Sequence, residues 1–390
     1  MAENSESQSS VVTPEGGAHP SVGPREAPST HSREQAAGIP AAEKSLGAGS
    51  LRAEGSFPSA GSSVGQPADE ARTVISRRAA ASEELPAILG GSALELGRQL
   101  EGKRLGHYQL ERYVGGGGMG AVFRATDTAL GRTVAVKVLS GNQNDPEIVR
   151  RFRNEGQSAA RLDHENIARV FDVGEDAGCQ YIVFEFIEGI NVRDLVVEEG
   201  PLSLAAAIHY SLNVAEALQH AHDREVVHRD IKPSNLIVTR EGRCKLVDMG
   251  LARLHQVEAS SDDLTASGVT LGTFDYISPE QARDPRNADV RSDLYSLGCT
   301  LFFMLTGRPP YPEGTVLQKL LSHSGDEVPD IDNFRSGVPR EMSRILNRLL
   351  AKQPSARYQQ PNELIGELLL LASDLGLEQA TRGSRVWIEA

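Results

Sequence analysis

The pattern of apolar residues changes character near Gly189, and this change limits the folds that the chain can adopt. Before it, from Tyr108 onward, short runs rich in β-branched residues alternate with turns, as expected for strands. After it the runs have helical spacing, and residues 293–306 are apolar nearly all round, which is typical of a helix buried in a domain core. We therefore predict an α+β fold of two lobes, a β-rich one at about 108–187 and an α-helical one at about 190–373, with a ligand cleft between them.

The ends of the chain differ from this organised part. Residues 1–100 are poor in aromatic residues and rich in Ser, Ala, Gly, Pro and Glu, so they bury too little apolar surface to offset the entropy of ordering. We expect them to be disordered, with a short helix over 94–105 on the small lobe as an alternative for the last part. The segment could serve as a tether, a docking segment, an autophosphorylation target or an inert linker. Residues 374–390 are predicted to be a short tail.

Charge and cysteine content exclude several classes of function. The formal net charge is −13, which argues against a dedicated surface for nucleic acid. The three cysteines are widely spaced, so no disulfide framework or zinc cluster follows. The N-terminus resembles no secretory signal, and no apolar run approaches the ~20 residues that span a bilayer. We expect a cytoplasmic protein with no nucleic-acid partner and no membrane span.

A glycine-rich turn separates the first two predicted strands. The segment comprises Val114, Gly115, Gly116, Gly117, Gly118, Met119 and Gly120, and Val122 follows in the next strand. Glycines let a backbone approach phosphates closely. A dinucleotide-binding fold would need a helix after the third glycine, whereas here the pattern predicts a strand. The pattern therefore favours a glycine loop that covers ATP, and a plain flexible hairpin is the alternative.

A lysine and a glutamate are predicted to meet beneath this loop. Strand alternation places Ala135 and Lys137 on one face of the strand 133–139. The following helix, capped by Asp145, has apolar residues at helical spacing, and Glu155 falls on the same inward face. A carboxylate facing inward is costly unless a cation meets it, and Lys137 is the nearest candidate in the pattern. A lysine that simply reaches solvent is the alternative.

The segment with the densest chemistry is H-R-D-I-K-P-S-N at residues 228–235. It combines a candidate base, Asp230, with cationic side chains and the amide of Asn235. A short predicted strand follows, and D-M-G then places a second carboxylate, Asp248, beside the same cleft. Carboxylate and amide oxygens suit Mg²⁺, a hard cation that keeps substrate phosphates in its coordination shell. A charged surface turn would not explain why the second motif follows at this spacing.

At this point the sequence resembles a known family. The glycine loop, V-A-V-K at 134–137, the helix glutamate, H-R-D-I-K-P-S-N, D-M-G and S-P-E at 278–280 appear in the order and spacing of the eukaryotic-like (Hanks-type) protein kinases. The likeness is greatest to the bacterial serine/threonine protein kinases and covers about 108–373. It implies a transferase that moves the γ-phosphoryl group of ATP to Ser or Thr hydroxyls of proteins, in signal transduction.

The resemblance also implies roles for single residues. Lys137 would hold the α- and β-phosphates and pair with Glu155, and Asp230 would accept or orient the proton of the substrate hydroxyl. Lys232 would steady the γ-phosphate. The Mg²⁺ ions would be held by Asn235 and Asp248, so that catalysis is largely positioning and charge neutralisation.

Further residues would form the adenine pocket or support the site. The adenine would lie between Val122, Ala135 and Ile237, hydrogen-bond the backbone near Glu185 and Ile187, and have Phe184 at its back. Asp293 would open the apolar helix and brace the catalytic loop, with a plain helix-end acid as the alternative. Glu280 and Arg357 would form a buried ion pair.

Regulation is expected in the stretch from Asp248 to Glu280. The resemblance places autophosphorylation sites at Thr265 and Ser267, and Thr273 would belong to the wall that faces the substrate. Arg229 is the natural partner for a phosphate on this loop, since Arg forms bidentate bonds to phosphate. The alternative is that Ser and Thr merely mark a flexible loop.

Two positions depart from the family pattern. Met249 stands where most members have Phe, which keeps an apolar side chain, and Ser278 replaces a more usual Ala. Neither change removes a ligand or a base. A kinase-fold scaffold that binds nucleotide without catalysis remains the main alternative, and a small-molecule kinase is another. Protein substrates are the expected partners, and self-association for autophosphorylation stays open.

Overall fold

The computed structural model describes residues 92–117, 120–140, 145–248, 271–379 and 387–388. The strands are β1 Arg104–Leu105, β2 Tyr108–Gly117, β3 Gly120–Asp127, β4 Arg132–Leu139, β5 Val170–Asp176, β6 Cys179–Glu185, β7 Gly189–Asn191, β8 Leu236–Thr239, β9 Cys244–Leu246, β10 Glu378–Gln379 and β11 Trp387–Ile388. The helices are α1 Ala93–Leu100, α2 Pro146–Ala159, α3 Val192–Glu199, α4 Leu204–His222, α5 Pro279–Arg283, α6 Val290–Thr306, α7 Val316–Gly325, α8 Arg340–Leu349 and α9 Pro361–Asp374.

The small lobe is built on one antiparallel sheet with the strand order β1-β2-β3-β4-β6-β5. Lys137 in β4 lies opposite Val122 in β3 on one side and opposite Ile182 in β6 on the other. Strand β5 begins at Val170, and the apolar residue Ile167 just before it is not part of this sheet. The reason is that Ile167 forms a parallel bridge with Leu246 of β9 and so belongs to the junction with the second sheet, β7-β8-β9.

The two faces of the small sheet are covered by different helices. Val134, Val136 and Val138 of β4 share an apolar cluster with Leu96 and Leu100 of α1. The opposite face, which carries Lys137, packs against α2 in a cluster that includes Phe152. The side chains of β4 therefore alternate between the two faces of the sheet as predicted. Helix α1 departs from the disorder expected for residues 1–100 and lies close to the short helix that was the alternative over 94–105, because Leu96 and Leu100 pack in the apolar cluster of the sheet.

Helix α2 begins as its sequence indicates. The carboxylate of Asp145 accepts a hydrogen bond of 2.9 Å from the backbone N–H of Glu147, and Pro146 occupies the first helical position. Phe152, Glu155 and Ala159 are buried along one side. This side meets the sheet, so the helix carries a carboxylate into the interior beside β4.

The large lobe is organised around α4 and α6, both largely buried. Helix α6 packs closely against α8, because a Cβ at Gly298 would lie only 2.7 Å from Cβ of Leu349. Helix α6 begins after Asp289, which caps it, so Asp293 lies inside the helix rather than opening it. The helix ends at Gly307, whose φ of 77° is the left-handed conformation that favours glycine.

The core of the large lobe extends beyond the predicted end at residue 373. Leu377 is buried with Leu364 and Leu368 of α9 in the same apolar cluster. Short strands β10 and β11 then pair antiparallel. Val226 and Val227, whose β-branched side chains are typical of strands, do not form one in the structure. Across the described ranges, no helix combines the length and apolar character needed to cross a bilayer.

Candidate active site

Lys137 lies between two carboxylates where the lobes meet. Its Nζ donates to Oε1 of Glu155 at 2.8 Å and to Oδ1 of Asp248 at 2.9 Å. The Glu155 side chain is 1% exposed, whereas that of Asp248 is 41% exposed. Strand β4, helix α2 and the segment after β9 each contribute one of these groups. The lysine that the sequence pairs with Glu155 therefore also contacts a predicted metal ligand.

The charges of this trio depend on each other. Burial alone would lower the pKa of Lys137, but the negative charges of Asp248 and Glu155 outweigh burial and raise it. Burial raises the pKa of Glu155, and the positive charge of Lys137 opposes that shift. The lysine is thus held as a cation at the base of the cleft, where it can meet the negative charge of a phosphate.

Asp230, Lys232 and Asn235 form a second cluster in one short loop. Nζ of Lys232 donates to Oδ2 of Asp230 at 2.8 Å. Nδ2 of Asn235 donates to the carbonyl of Asp230 at 2.9 Å and to its Oδ2 at 3.1 Å. The short 3₁₀ turn Pro233–Asn235 brings the amide back toward the aspartate. One carboxylate oxygen is therefore oriented by two donors from its own loop.

Asp293 in α6 holds this loop from below. Its Oδ2 accepts from the backbone N–H of His228 at 2.8 Å, and its Oδ1 accepts from that of Arg229 at 2.7 Å. Burial raises the pKa of Asp293 to about 7, although both hydrogen bonds favour the carboxylate. Arg229 has a φ of 69°, a conformation that a residue with a side chain seldom adopts without such restraint. The bracing role that the resemblance gives to Asp293 agrees with these bonds.

His228 is part of the scaffold of the loop. Its Nδ1 accepts from the backbone N–H of Asp230 at 3.2 Å, which leaves Nε2 to donate to the carbonyl of Val247 at 3.3 Å. Burial lowers the pKa of His228 to about 4. The neutral ring therefore links the backbone of Asp230, the candidate base, to Val247, the residue before Asp248. The sequence motif contained this histidine but gave it no role.

The residues predicted to surround the adenine come from four strands, with Val122 in β3, Ala135 in β4, Phe184 in β6 and Ile237 in β8. Val122, Ala135 and Ile237 are half-buried, and Phe184 is buried. Lys245 donates to Oε1 of Glu185 at 2.6 Å, which fixes that side chain.

At the mouth of the loop, Val114 is 44% exposed. The paired end of the β2–β3 hairpin is formed by four glycines, Gly115, Gly116, Gly117 and Gly120. Ile187, which follows β6, is half-buried. Gly118 and Met119 lie outside the described residues.

The segment around Ser278-Pro279-Glu280 connects the catalytic loop to the large lobe. Ser278 and Gln281 form a capping box at the start of α5, and Nε2 of Gln281 donates to the carbonyl of Arg229 at 3.0 Å. Arg357 donates to Oε1 of Glu280 at 2.7 Å and to Oε2 at 2.9 Å, as expected for the buried pair. The serine that departs from the family pattern thus has a structural use.

One ion pair of this region had no signal in the sequence. Lys319 in α7 donates to Oδ1 of Asp275, and both residues are buried. Asp275 follows the predicted substrate-facing wall by two residues. The pair therefore joins the outer helix α7 to the segment that leads into α5. Thr265, Ser267 and Met249 lie outside the described residues.

Comparison with known proteins agrees with this geometry. Residues 108–366 match the family described as protein kinase domain. The chain belongs to this family. It is 39% identical over 271 residues to the serine/threonine-protein kinase PrkC of Bacillus subtilis, covering 69% of this chain and 41% of that protein. It is also 37% identical over 267 residues to the serine/threonine-protein kinase PknB of Mycobacterium tuberculosis, covering 67% of this chain and 42% of that protein.

The predicted resemblance and the bilobal fold are confirmed by this match. A third kinase relative, the probable serine/threonine-protein kinase PknB of Corynebacterium glutamicum, is 38% identical over 270 residues, covering 67% of this chain and 41% of that protein. The chain spans about two fifths of the length of these curated relatives. Membership of the family implies ATP as the phosphoryl donor and, in general, use of a divalent cation.

Proposed function

We propose that this protein is a serine/threonine protein kinase that transfers the γ-phosphoryl group of ATP to Ser and Thr hydroxyls of proteins. The observation that carries the proposal is the convergence of two clusters at one cleft: Lys137 with Glu155 and Asp248, and Asp230 with Lys232 and Asn235. These groups come from both lobes. A scaffold that only binds nucleotide would not need an oriented base beside a cationic side chain.

The residues of the chain divide the work of phosphoryl transfer. Asp230 accepts or orients the proton of the incoming hydroxyl, because one of its oxygens is already held by Lys232 and Asn235. Lys232 neutralises charge on the γ-phosphoryl group as it moves, and Lys137 holds the α- and β-phosphates. Catalysis then rests on position and charge, with no covalent intermediate on the protein.

The donor set near Asp248 fits a magnesium ion. Asn235 uses its Nδ2 to bond Asp230, so its carbonyl oxygen is the atom left for a cation. Asp248 supplies a half-exposed carboxylate at the cleft. Two oxygen ligands plus phosphate oxygens are what Mg²⁺ prefers. Bound there, the ion would neutralise negative charge on the phosphates and help to fix their geometry.

Activation by phosphorylation of Thr265 or Ser267 forms part of the proposal. Arg229 supports it, because its Nε is buried and has no hydrogen-bond partner among the described residues. A phosphate would provide a bidentate partner of opposite charge for this guanidinium. Protein substrates, self-association for autophosphorylation and a cytoplasmic location complete the proposal, with a nucleotide-binding scaffold as its alternative.

The decisive experiment is transfer of label from γ-labelled ATP with Mg²⁺ to a generic basic protein. Label in the acceptor, or on Thr265 and Ser267 of the protein itself, is the expected result. The Asp230→Asn variant is the matched control, since it should bind nucleotide yet transfer little. If the unaltered protein bound nucleotide but transferred label to neither target, the nucleotide-binding scaffold would be the better description. Unchanged activity after replacing both Thr265 and Ser267 with Ala would remove the activation step alone.

A further inference from the structure

Helix α1 touches the back of the glycine loop through a stack of small and aromatic residues. Leu96 and Leu100 anchor the helix in the apolar cluster of the sheet, and Ala93 and Tyr113 pack against the same cluster. The first turn of α1 is thereby fixed next to β2. Helix α1 therefore provides packing contacts for the glycine loop, whose own residues have few side chains.

Gly97 is the point where α1 and β2 approach most closely. A Cβ there would lie 2.5 Å from Cδ2 and 2.8 Å from Cγ of Tyr113, so only glycine lets the helix rest flat on the ring. The fully buried Phe123 lies beside the ring of Tyr113 in an edge arrangement, with ring centroids 6.0 Å apart. Tyr113 therefore cannot retreat into the core when the helix presses on it.

The same stack ends at the glycine loop. A Cβ at Gly116 would lie 2.8 Å from Cβ of Ala93 and 3.1 Å from the hydroxyl oxygen of Tyr113. The backbone of Gly116 thus rests against both α1 and the tyrosine. Gly116 pairs with Ala121 across the hairpin, so its position sets the position of the paired end of β2 and β3.

We propose that α1 braces the glycine loop, with Ala93, Gly97 and Tyr113 as positioning residues for nucleotide binding. The inference rests on the proposed function, since it assumes that the loop covers the phosphates of ATP. A glycine hairpin has many accessible conformations, and ordering it on binding opposes affinity. The brace lowers that cost by holding the loop near its bound position before the nucleotide arrives.

Gly97→Ala is the sharpest test because alanine favours helix more than glycine does. The variant should therefore leave α1 helical while lifting it from Tyr113 and withdrawing Ala93 from Gly116. We expect the dissociation constant for Mg²⁺–ADP to rise roughly three- to tenfold. Hydrogen exchange at the amides of residues 115–117 should become faster, while the KM for a protein acceptor stays unchanged.

Ala93→Gly is the second variant, since it removes the contact with Gly116 but keeps the seat of the helix. It should weaken Mg²⁺–ADP in the same direction. Leu94→Ala is the matched control, because Leu94 is 52% exposed. It should leave the affinity for Mg²⁺–ADP and the hydrogen exchange of residues 115–117 unchanged. If α1 had a purely structural role, Gly97→Ala would lower the melting temperature without changing the affinity for Mg²⁺–ADP or the hydrogen exchange of the loop. That result would overturn the proposal that α1 braces the loop. Absence of nucleotide binding by the unaltered protein would instead contradict the proposed function.

Discussion

Lys137 donates to Glu155 over 2.8 Å, and the carboxylate that receives this bond is almost completely shielded from water. Isolated charge at such a depth is costly, so each partner makes the other tolerable. The pair fixes α2 against β4. Because Nζ of Lys137 also donates to Asp248, one ammonium group sets the spacing of α2, β4 and the segment that follows β9.

The Lys137→Met variant should lose both activity and stability. We expect phosphoryl transfer to fall by about two to three orders of magnitude, since the charge that meets the phosphates is gone. Stability should fall by about 3–5 kcal/mol because Glu155 is left buried without a partner. The double variant Lys137→Met/Glu155→Met should regain much of the stability and none of the activity. Denaturant unfolding and label transfer measure the two effects, and a double variant no more stable than the single one would contradict the pairing.

Asp293 should matter for activity although it lies beneath the loop. Asp293→Ala leaves the N–H groups of His228 and Arg229 without their acceptor, at a cost of about 1–3 kcal/mol for each buried group. We expect kcat to fall strongly while affinity for Mg²⁺–ADP is largely kept. Asp289→Ala is the matched control, because it removes a cap from the same helix at a cost of about 1 kcal/mol and leaves the loop bonds intact. Equal losses of kcat in both variants would argue against bracing.

His228 should make the protein sensitive to mild acid. Its pKa is lowered to about 4 in the folded protein by burial, whereas an unfolded histidine has a pKa of about 6.5. Between these values the unfolded state binds the extra proton, so stability falls as the pH drops through this window. From pH 7 to pH 5 the histidine should account for a loss of about 2 kcal/mol.

The measurement compares denaturant unfolding of the unaltered protein and of His228→Gln at both pH values. Glutamine can accept from Asp230 and donate to Val247 but does not titrate, so the difference between the two pH slopes isolates this residue from other buried histidines such as His323. Identical slopes would show that the ring of His228 is not held neutral.

The ion pair between Asp275 and Lys319 should govern the acceptor rather than the nucleotide. Lys319→Met leaves the buried carboxylate of Asp275 unpaired, and the segment after the predicted substrate-facing wall should shift to reach water. We expect KM for a protein acceptor to rise three- to tenfold, which corresponds to about 0.7–1.4 kcal/mol, while KM for ATP stays the same. Leu317→Ala on the exposed side of α7 is the control. Parallel changes in both KM values would count against a local effect.

The sequence predicts those parts of the site whose residues follow a local period or a compact motif. Glu155 is an example, since its spacing in α2 places it among apolar residues and its burial demands a cation. The N-cap at Asp145 is likewise a local property, since it depends only on residues at the start of the helix. In each case the residues that decide the outcome are close neighbours in the chain.

Contacts between distant segments gave no comparable signal in the residues themselves, and the Glu280–Arg357 pair was expected only from the family resemblance. In α7 the apolar residues Leu317 and Leu321 face outward, whereas Lys319 and His323 are buried, which is the reverse of what periodicity predicts. The polar side faces inward because Asp275, 44 residues earlier, supplies a partner. A short helix on the small lobe was an alternative for residues 94–105, but its contact with Tyr113 had no signal, because that surface forms only after the strands pair.

The attachment of the catalytic loop to α6 also bears on how this protein loses activity when heated. The two amides that Asp293 holds are anchored to a helix at the centre of the large lobe, so they cannot open to water unless that helix is disturbed. Inactivation should therefore coincide with melting of the lobe as a whole. Substitutions that improve the packing of α6 against α4 and α8 should therefore raise the temperature up to which the protein stays active. These positions lie far from any atom that contacts a substrate.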